Sequence, residues 1–485
     1  MGVKNGQEFL NRVNQLKPEI WVDGAQLKGP ISESPEFRGL LKTKSSLYDY
    51  QTLAEHKSEM TYDSPTSGEK VGISFLQPTT KEDLRKRRAM IEQWARQTAG
   101  LMGRSPDYLN TVLMSFASSS HFLEGKENCF PQHVHSAYER AREQDLTFTH
   151  TFITPQVNRA PMYFETSDEP ISAKIVDTTQ EGLVIKGAKL LATQGGLTDE
   201  ILVFSAPKLL PDPDEAFAFT LPSDAEGVRF ICRESFAGTD SAFNYPLSSR
   251  FEEMDSIVVF DNALVPWDRV FFYRNTDVAS QFFASSSFHP YTLHQVITRQ
   301  VVKTEFMLSV AQLLVETINV GGYSHIQGKV AEIMISLETL KALLDKSEQD
   351  AALDQWGYMR PSIVPLQVAS NIFPIVYPRF SEIIQLIGAS GMVTIPTEKA
   401  FQSEIQQDLV QYLQGATKTA EDRVKIFRLA WDLTMSSFGT RQTQYERYFF
   451  GDPIRLAGQL YNSYTSTSAF PMIESLLGPL DCGSK

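Results

Sequence analysis

The apolar pattern of the chain changes twice along its length. Up to about residue 145 apolar side chains recur at helical spacing, and from Leu146 to Phe272 they alternate with polar ones as in strands. Beyond Gln281 the helical spacing returns. This order differs from the regular alternation of strand and helix that builds a parallel sheet. We therefore expect an α+β fold with an N-terminal helical domain (1–145), a β domain (146–275) and a C-terminal helical bundle (276–485).

The middle part carries a series of short alternating runs, which predict strands. Glycines and prolines fall between the runs, as expected for turns. The runs cover residues 173–176, 182–189, 201–204, 216–221, 228–232 and 257–260. Several short strands at such spacing are typical of an antiparallel barrel or sandwich.

The helices are predicted from caps and from apolar stripes. Thr80 followed by Asp83 has the pattern of a capping box, so a helix should begin there. A long bundle helix is predicted from apolar residues that step by three and four along one face: Ile326, Val330, Ile333, Leu337, Leu340 and Leu344. Further helices are predicted over 6–16, 136–145, 298–319, 369–388 and 419–438.

Composition limits the possible partners and compartments. With 485 residues and 42% apolar composition the chain can bury a large core. A net charge of -13 argues against a nucleic-acid partner. Cys129, Cys232 and Cys482 are too few and too far apart for a disulfide framework, and no stretch is long and apolar enough to span a membrane. We expect a soluble protein of the cytoplasm.

Several common site motifs are missing from the sequence. No GxGxxG follows a predicted strand, and neither a phosphate-binding lysine loop nor a GxSxG elbow occurs. His133, His135 and Glu139 could be proposed as metal ligands, but two imidazoles at the start of a helix more often face solvent. We expect no metal site.

His150 stands out in the first predicted strand of the middle part. Alternation places it on the same face as Phe148 and Phe152, so a titratable group lies in an apolar wall. An isolated histidine of this kind is more often a core residue that bonds a backbone carbonyl. The segment that follows, from Pro155 to Arg159, adds two amides and a guanidinium, which favours a binding site.

A second candidate is Arg104, which precedes a predicted helix. Ser105 has the character of an N-cap and Pro106 that of a first helical residue. Arg104 and Tyr108 would then lie at the positive end of a helix, where an anionic oxygen is favoured. An ordinary capped helix explains the same residues.

With these motifs the chain resembles the 4-hydroxyphenylacetate 3-hydroxylase family, the oxygenase components of two-component, reduced-flavin-dependent aromatic hydroxylases. The motifs run through most of the chain in order: Arg104 to Tyr108, Thr149 to Thr151, Pro155 to Arg159, Tyr245 to Arg250, Val265 to Trp267 and Tyr445 to Arg447. The resemblance implies the acyl-CoA dehydrogenase architecture, with a flavin between a β-barrel and a helical bundle.

The resemblance also implies an activity. The expected enzyme is an FADH2-dependent monooxygenase that hydroxylates a phenol, 4-hydroxyphenylacetate first of all, ortho to its hydroxyl through a flavin C4a-hydroperoxide. Molecular oxygen is the co-substrate, and a separate NAD(P)H:flavin reductase supplies the reduced FAD. Arg104, Tyr108 and His150 are the family's residues around the phenol oxygen; His150 is a candidate proton acceptor, since imidazole has an ordinary pKa of about 6.5. A homotetramer, as a dimer of dimers, is expected from the architecture.

The resemblance assigns the binding residues too. Expected flavin contacts are His150, Thr151, Phe152, Gln156, Val157, Asn158, Arg159, Thr193, Phe449, Phe450, Gly451 and Asp452. Apart from the resemblance, residues 449–452 would be a helix-ending turn and Thr193 a plain strand threonine. In family members that use 4-hydroxyphenylacetate a Ser-Thr pair grips the carboxylate, where this chain has Ser205 and Ala206. Phenol, a halophenol, a hydroxycinnamate or a tyrosine-like compound therefore remain open as substrates.

Two other classes share the architecture. The 4-hydroxybutyryl-CoA dehydratases bind an iron–sulfur cluster through cysteines and one histidine, but this chain has no cysteine near Arg104 or Gln295, although it has His289 and His294. An acyl-CoA dehydrogenase would need a carboxylate base beside the flavin, and no glutamate can be given that role from the sequence. A catalytically silent binding protein on the same scaffold is the remaining alternative.

Overall fold

The first part of the chain is mostly helical. The computed structural model describes residues 2–157, 169–205, 212–239, 241–464 and 469–478, with the backbone alone at 469 and 470. The helices here are α1 (Gly6–Gln15), α2 (Arg38–Thr52), α3 (Lys57–Met60), α4 (Lys81–Gln97), α5 (Pro106–Ser118) and α6 (Pro131–Gln144). Four short strands lie between them: β1 (Glu19–Val22), β2 (Ala25–Gln26), β3 (Thr61–Asp63) and β4 (Lys70–Gly72).

The predicted capping box is present at the start of α4. The Thr80 hydroxyl accepts a hydrogen bond from the Asp83 amide at 3.1 Å, and the Asp83 carboxylate accepts one from the Thr80 amide at 3.0 Å. Two amides that the helix leaves unbonded are thus satisfied by side chains. The start of this helix is therefore encoded locally.

The middle part supplies most of the strands. They are β5 (Phe148–Thr151), β6 (Lys174–Thr178), β7 (Gly182–Thr193), β8 (Glu200–Phe204), β9 (Phe217–Pro222), β10 (Val228–Cys232), β11 (Asp255–Pro266) and β12 (Val270–Tyr273). A single turn of helix, α7 (Ser248–Phe251), precedes β11. All six predicted strands are present, with bounds that differ by a few residues.

The strands form two main sheets. One has six strands in the order β2-β1-β10-β11-β7-β6, and the other has four in the order β12-β9-β8-β5. Most neighbours are antiparallel, but β1 pairs with β10 and β5 with β8 in parallel. A bridge between Ile153 and Leu190 links the end of β5 to β7. Within the described residues the sheets do not close into one barrel, so the β region is a two-sheet arrangement.

Helices make up most of the last part. They are α8 (Thr276–Ser285), α9 (Phe288–Thr317), α10 (Ser324–Gln349), α11 (Ile363–Gly388), α12 (Gln406–Tyr412), α13 (Ala420–Thr434), α14 (Ser437–Tyr448), α15 (Pro453–Ser463) and α16 (Ala469–Leu477). A hairpin of β13 (Ala352–Leu353) and β14 (Met359–Arg360) separates α10 from α11. The six residues of the predicted stripe on α10 are all buried, which confirms the bundle helix.

Two clusters of buried apolar side chains hold these parts together. One joins the six-stranded sheet to α9, α10 and α11. The other joins α5 and α6 to the four-stranded sheet and to the start of α9. The second cluster includes Tyr108, Phe148 and Phe204, so the predicted site lies against this core.

Two of the predicted helices begin or break elsewhere in the structure, and one strand was not predicted. The helix predicted over 419–438 is broken at Met435 and Ser436, where the Ser436 side chain caps α14. The helix expected from residue 136 begins at Pro131, which takes the first helical position. The region before residue 75 also adds β1 to the β10 edge, a long-range pairing that leaves no local pattern.

The domain limits at 145/146 and 275/276 stay predictions. Among the described residues no helix combines the length and the hydrophobicity that a membrane crossing needs.

Candidate active site at the start of helix α5

The three predicted catalytic side chains lie together. Tyr108 is in the first turn of α5 and His150 is in β5, and their ring centres are 5.8 Å apart with nearly perpendicular planes. Arg104 precedes the same helix, and its guanidinium carbon lies 4.3 Å from the centre of the Tyr108 ring. The N-terminus of one helix and one strand therefore position the whole set.

A third element, the C-terminal end of α14, completes the surroundings. The Phe449 ring is 5.6 Å from the Tyr108 ring and 4.3 Å from the Arg104 guanidinium carbon. Tyr445, one turn earlier, lies 5.6 Å from the same guanidinium. Three aromatic rings thus surround one cation, an arrangement in which the ring faces attract the charge.

The Arg104 guanidinium has no carboxylate partner among the described residues. Its Nη1 donates to the Gly103 carbonyl at 3.4 Å, and its buried Nε has no acceptor in the described part of the chain. Burial of a charge without an anion is unfavourable, and the rings offset only part of that cost. An anionic oxygen is therefore the ligand that this position favours most.

His150 lies in the apolar wall as predicted. Its ring is 5.4 Å from Phe152 and 5.6 Å from Phe204, and its buried Nδ1 has no hydrogen-bond partner among the residues that the structure describes. The role of proton acceptor was inferred from the ordinary pKa of imidazole, and the surroundings of His150 move its pKa from that value. Burial, together with the positive charge of Arg104, lowers the pKa of His150 well below 6.5. The imidazole is therefore neutral at neutral pH and presents its free nitrogen as a hydrogen-bonding group.

The two predicted threonines are bonded within the sheet. The Thr151 hydroxyl donates to the Leu190 carbonyl at 2.7 Å, and the Thr193 hydroxyl donates to Asp255 Oδ1 at 2.8 Å. Their hydrogens are thus used, and only oxygen lone pairs and backbone groups remain for a ligand. Gln194, next to Thr193, reaches the Arg104 carbonyl at 2.9 Å, so this end of β7 borders the site.

Residues 449–452 form a turn between α14 and α15. Phe449 and Phe450 have ring centres 5.8 Å apart, and Phe450 also packs 6.2 Å from His289. Gly451 has a φ of +115°, a backbone conformation that favours glycine. The Asp452 carboxylate caps α15 through the Ile454 amide at 2.9 Å. The aromatic residues are thus next to the site, while Asp452 also has a structural role.

The remaining predicted binding residues are described only in part. Gln156 and Val157 are exposed at the end of the segment after β5. Asn158, Arg159 and Ala206 lie outside the described residues.

Ser205 is engaged by the neighbouring strand. Its hydroxyl donates to the Glu215 carbonyl and accepts from the Phe217 amide at 3.1 Å. A hydroxyl held in this way has little capacity left to bind a carboxylate.

The histidines weighed as metal ligands make other contacts. His133 Nδ1 lies 2.8 Å from the Val270 carbonyl, and His135 Nε2 lies 2.7 Å from the Ser120 hydroxyl, so neither simply faces solvent. In the part of the chain that the structure describes, no group of three or more His, Cys, Asp or Glu side chains is placed to hold a metal ion.

Two models of one protein family together match nearly the whole chain. The family model described as 4-hydroxyphenylacetate 3-hydroxylase N terminal matches residues 5–272, and the corresponding C-terminal model matches residues 279–478. The chain belongs to the 4-hydroxyphenylacetate 3-hydroxylase family. This membership confirms the family that the sequence motifs indicated.

Members of the 4-hydroxyphenylacetate 3-hydroxylase family match nearly end to end. A probable 4-hydroxyphenylacetate 3-monooxygenase of Bacillus subtilis (strain 168) is 64% identical over 98% of this chain and 99% of its own length. The 4-hydroxyphenylacetate 3-monooxygenase oxygenase component of Thermus thermophilus is 41% identical over 95% of this chain and 94% of its own. The predicted class of enzyme, a monooxygenase, is thereby confirmed.

Solved structures agree with the fold. The oxygenase component HpaB of 4-hydroxyphenylacetate 3-monooxygenase, complexed with FAD and 4-hydroxyphenylacetate, superposes with a TM-score of 0.93 at 40% identity, over 98% of each chain. A 4-hydroxybutyryl-CoA dehydratase from N. maritimus superposes with a TM-score of 0.88 at 19% identity, which concerns the fold alone. The predicted α+β fold class is confirmed, and FAD, the predicted cofactor, is the one bound in the HpaB structure.

The sequence motifs gave no role to several residues around the site. Tyr445 belongs to a matched motif, and its buried hydroxyl has no hydrogen-bond partner among the described residues. Gln194 follows the predicted strand 182–189 and Phe204 ends the predicted strand 201–204, but nothing in their local sequence marks them. Only the packing of β7, β8 and α14 against α5 brings these side chains to the site.

Proposed function

We propose that this chain is the oxygenase component of a two-component monooxygenase that uses reduced FAD and O2 to hydroxylate 4-hydroxyphenylacetate ortho to its phenolic oxygen. One observation carries the proposal. The Arg104 guanidinium lies among Tyr108, Tyr445 and Phe449 and has no carboxylate partner among the described residues. His150, whose ring packs against Tyr108, likewise has no described partner for its Nδ1. A phenol oxygen supplies what both groups lack, because it can carry negative charge towards the guanidinium and bond the imidazole.

The charge on Arg104 would act on the substrate's acidity. A fixed cation within hydrogen-bonding distance of a phenol stabilises the phenolate and lowers the pKa of the phenol. A phenolate ring is richer in electrons at its ortho carbon, which favours attack by an electrophilic oxygen. Tyr108 and Phe449 hold the guanidinium in place from two sides, and Tyr108 also offers its hydroxyl as a further hydrogen-bonding group.

His150 would orient the substrate without carrying charge. Its neutral imidazole can accept the phenolic proton in a hydrogen bond at Nδ1, or hold the phenolate oxygen as the other tautomer. Phe152 and Phe204 flank it and form an apolar wall for an aromatic ring. A rigid arrangement of this kind keeps the ring in one orientation, which is a large part of catalysis by proximity.

The surroundings suit a flavin. Arg104, His150 and Tyr445 each carry a buried polar atom without a partner among the described residues, and Tyr445 packs against Phe449, which stacks on Phe450. His150, Thr151, Phe152, Gln156, Val157, Thr193 and residues 449–452 would contact the cofactor, together with Asn158 and Arg159. Bound reduced FAD supplies the electrophilic oxygen atom after reaction with O2.

The partners follow from the same proposal. The chain has no sequence signature of a dinucleotide-binding site, so an NAD(P)H:flavin reductase would deliver reduced FAD from outside. The name "oxygenase component", which the Thermus relative carries, supports a separate reductase. Assembly into a homotetramer and location in the cytoplasm belong to the proposal; Cys129 and Cys232 are free thiols, which suits a reducing compartment.

The test is a reconstituted assay. The purified chain is supplied with FAD, NADH, a flavin reductase and 4-hydroxyphenylacetate in air, and 3,4-dihydroxyphenylacetate is measured by chromatography. Phenol, 4-chlorophenol and 4-hydroxycinnamate are run beside it, and an anaerobic sample is the control. We expect catechol only with O2 and reductase, and the highest kcat/KM for 4-hydroxyphenylacetate. Absence of any catechol, or a better rate with another phenol, would contradict the activity or the substrate respectively.

A further inference from the structure

Glu253 is a fully buried carboxylate with contacts to the turn that carries Arg104. Its Oε2 accepts a hydrogen bond from the Gly103 amide at 2.8 Å, and its Oε1 accepts one from the Arg104 amide at 2.7 Å. One carboxylate thus binds two successive amides just before α5. Paired amides of this kind form a small concave anion site, in which an acidic side chain fixes the backbone.

A glutamine reinforces the same contact. Gln194 Nε2 donates to Glu253 Oε1 at 3.0 Å and to the Arg104 carbonyl at 2.9 Å. Arg104 is therefore held at both its amide and its carbonyl, by two side chains from other elements. With both ends of the residue fixed, the direction of its Cα–Cβ bond is fixed as well.

Helix α14 supports this turn from the other side. Arg441 Nη1 lies 3.6 Å from Glu253 Oε2, an ion pair without a hydrogen bond, while its other nitrogens bind Asp255 at 2.7 and 2.8 Å. Tyr445, one turn on, packs so tightly on Gly103 that a Cβ there would meet its ring at 2.3 Å. The turn has no room to shift towards α14.

The charge of Glu253 is directed to the backbone and to Arg441. No described carboxylate, Glu253 included, pairs with the guanidinium of Arg104. The guanidinium is therefore available to a ligand, although the Glu253 carboxylate binds the backbone amide of the same residue. A direct ion pair would have neutralised the group that the proposed function needs.

We propose that Glu253 is a positioning residue for hydroxylation: it holds the backbone of Gly103 and Arg104 so that the guanidinium meets the phenol oxygen, and Gln194 assists it. The inference rests on the proposed function. Its physical basis is that a small displacement of a group that orients the substrate costs much of the rate, about a hundredfold for 1 Å. Glu253 touches neither substrate nor cofactor in this account.

The first test compares Glu253→Gln with Asp432→Asn. Asp432 is an equally buried carboxylate whose Oδ2 accepts from the successive amides of Leu247 and Ser248, both at 2.9 Å, but it does not contact Arg104. Both variants lose a buried charge and one acceptor, so both should lose thermal stability. Only Glu253→Gln should slow catechol formation, by about tenfold to a hundredfold, while reduced FAD is still consumed and peroxide is released.

A second measurement does not depend on turnover. 4-Nitrophenol, whose phenolate absorbs visible light, is titrated with pH while bound to the protein without flavin. Wild type and Asp432→Asn should lower the pKa of the bound probe equally, and Glu253→Gln should lower it less, because the guanidinium is no longer held towards the oxygen. A merely structural role of Glu253 would leave this titration unchanged.

Gln194→Asn covers the case in which Glu253→Gln does not fold. Gln194 has a φ of +63°, which asparagine tolerates, and the shorter side chain cannot span both acceptors. Like Glu253→Gln, but by a smaller factor, it should lower the coupling, which is the ratio of catechol formed to peroxide released. It should also lower the pKa of bound 4-nitrophenol less than wild type does. If both variants keep wild-type coupling and probe pKa while wild type forms catechol, this inference fails alone. If wild type forms no catechol, the proposed function fails, and this inference fails with it.

Discussion

Arg104 precedes α5 and Phe449 follows α14, more than 300 residues later in the chain, yet the guanidinium carbon of Arg104 lies 4.3 Å from the centre of the Phe449 ring. A second guanidinium, that of Arg299, lies 5.2 Å from the centre of the same Phe449 ring. Arg299 is paired with Glu446 at 2.7 Å, whereas Arg104 has no carboxylate partner in the part of the chain that the structure describes. Arg104 is therefore the cation beside Phe449 that is open to a ligand.

Replacement of Glu446 tests how much the buried ion pairs near Phe449 contribute to the stability of the fold. Glu446 is the carboxylate for both Arg299 and Lys303, which are themselves buried. Glu446→Gln leaves two buried cations without an anion, and we expect a loss of about 3–5 kcal/mol in the free energy of unfolding. The control is Glu332→Gln, which breaks an exposed pair with Arg379 and should cost about 0–1 kcal/mol. If urea titrations gave equal losses of unfolding free energy for the two variants, the buried ion pairs would contribute no more to stability than an exposed one.

The ion pairs of Glu446 with Arg299 and Lys303 predict that the stability depends on pH in the acid range. Burial disfavours the Glu446 carboxylate, but Arg299 and Lys303 outweigh it and lower its pKa from 4.5 to about 2. Because the folded pKa is the lower one, this stabilisation is complete above pH 4.5 and is lost as the pH falls towards 2. The difference in unfolding free energy between wild type and Glu446→Gln should therefore shrink on acidification from pH 5 to pH 3 (about two units, enough for most of the effect). A difference independent of pH would contradict this assignment.

His150 should make the apoprotein less stable in mild acid. The folded state holds the imidazole neutral, while the unfolded chain takes up a proton near pH 6.5. The free energy of unfolding should therefore fall below that pH, by up to about 1.4 kcal/mol per pH unit from this one group. His150→Phe should remove this part of the slope between pH 6.5 and 5, measured by thermal unfolding at several pH values. Identical slopes for the two proteins would mean that His150 is protonated in the folded state.

Ser205 can be tested as a substrate residue. Its hydroxyl is held by the backbone of Glu215 and Phe217, so Ser205→Ala should cost about 1 kcal/mol of stability, the value of one hydrogen bond. The KM for 4-hydroxyphenylacetate should change less than about threefold, because no bond to the substrate is lost. A tenfold rise in KM for 4-hydroxyphenylacetate without a rise for phenol would instead identify Ser205 as part of a carboxylate grip.

Local features of the sequence were good guides to local structure. The Thr80–Asp83 capping box, the stripe on α10 and the strands from β6 to β11 all depend on residues close together in the chain. The prediction that Arg104, Tyr108 and His150 lie together came from the family motifs. The spacing of the residues alone is also explained by an ordinary capped helix and a core histidine.

What the sequence could not reveal depends on long-range contacts between polar groups. Glu253 binds the Arg104 amide across 149 positions of the chain, and Arg441 binds Asp255 across 186. Such pairs leave no periodic signal, because their partners lie far apart in the chain and each stands among other polar residues. The same holds for β1, whose partner strand β10 lies about 200 residues away. The two strands pair because β10 offers a free edge of the sheet, and no sequence pattern in β1 identifies that partner.

The most direct test of the account is the fate of oxygen in Arg104→Ala. Loss of the charge-assisted bond to the phenol oxygen should cost about 2–4 kcal/mol in the transition state, or about thirty- to a thousandfold in the rate of hydroxylation. Arg104→Lys should recover only part of this loss, because an ammonium keeps the charge but not the planar fork. The ratio of catechol formed to hydrogen peroxide released is measured for wild type and both variants with the same supply of reduced FAD. We predict a ratio that falls sharply in Arg104→Ala while flavin consumption continues; an Arg104→Ala protein with wild-type rate and ratio would contradict the site.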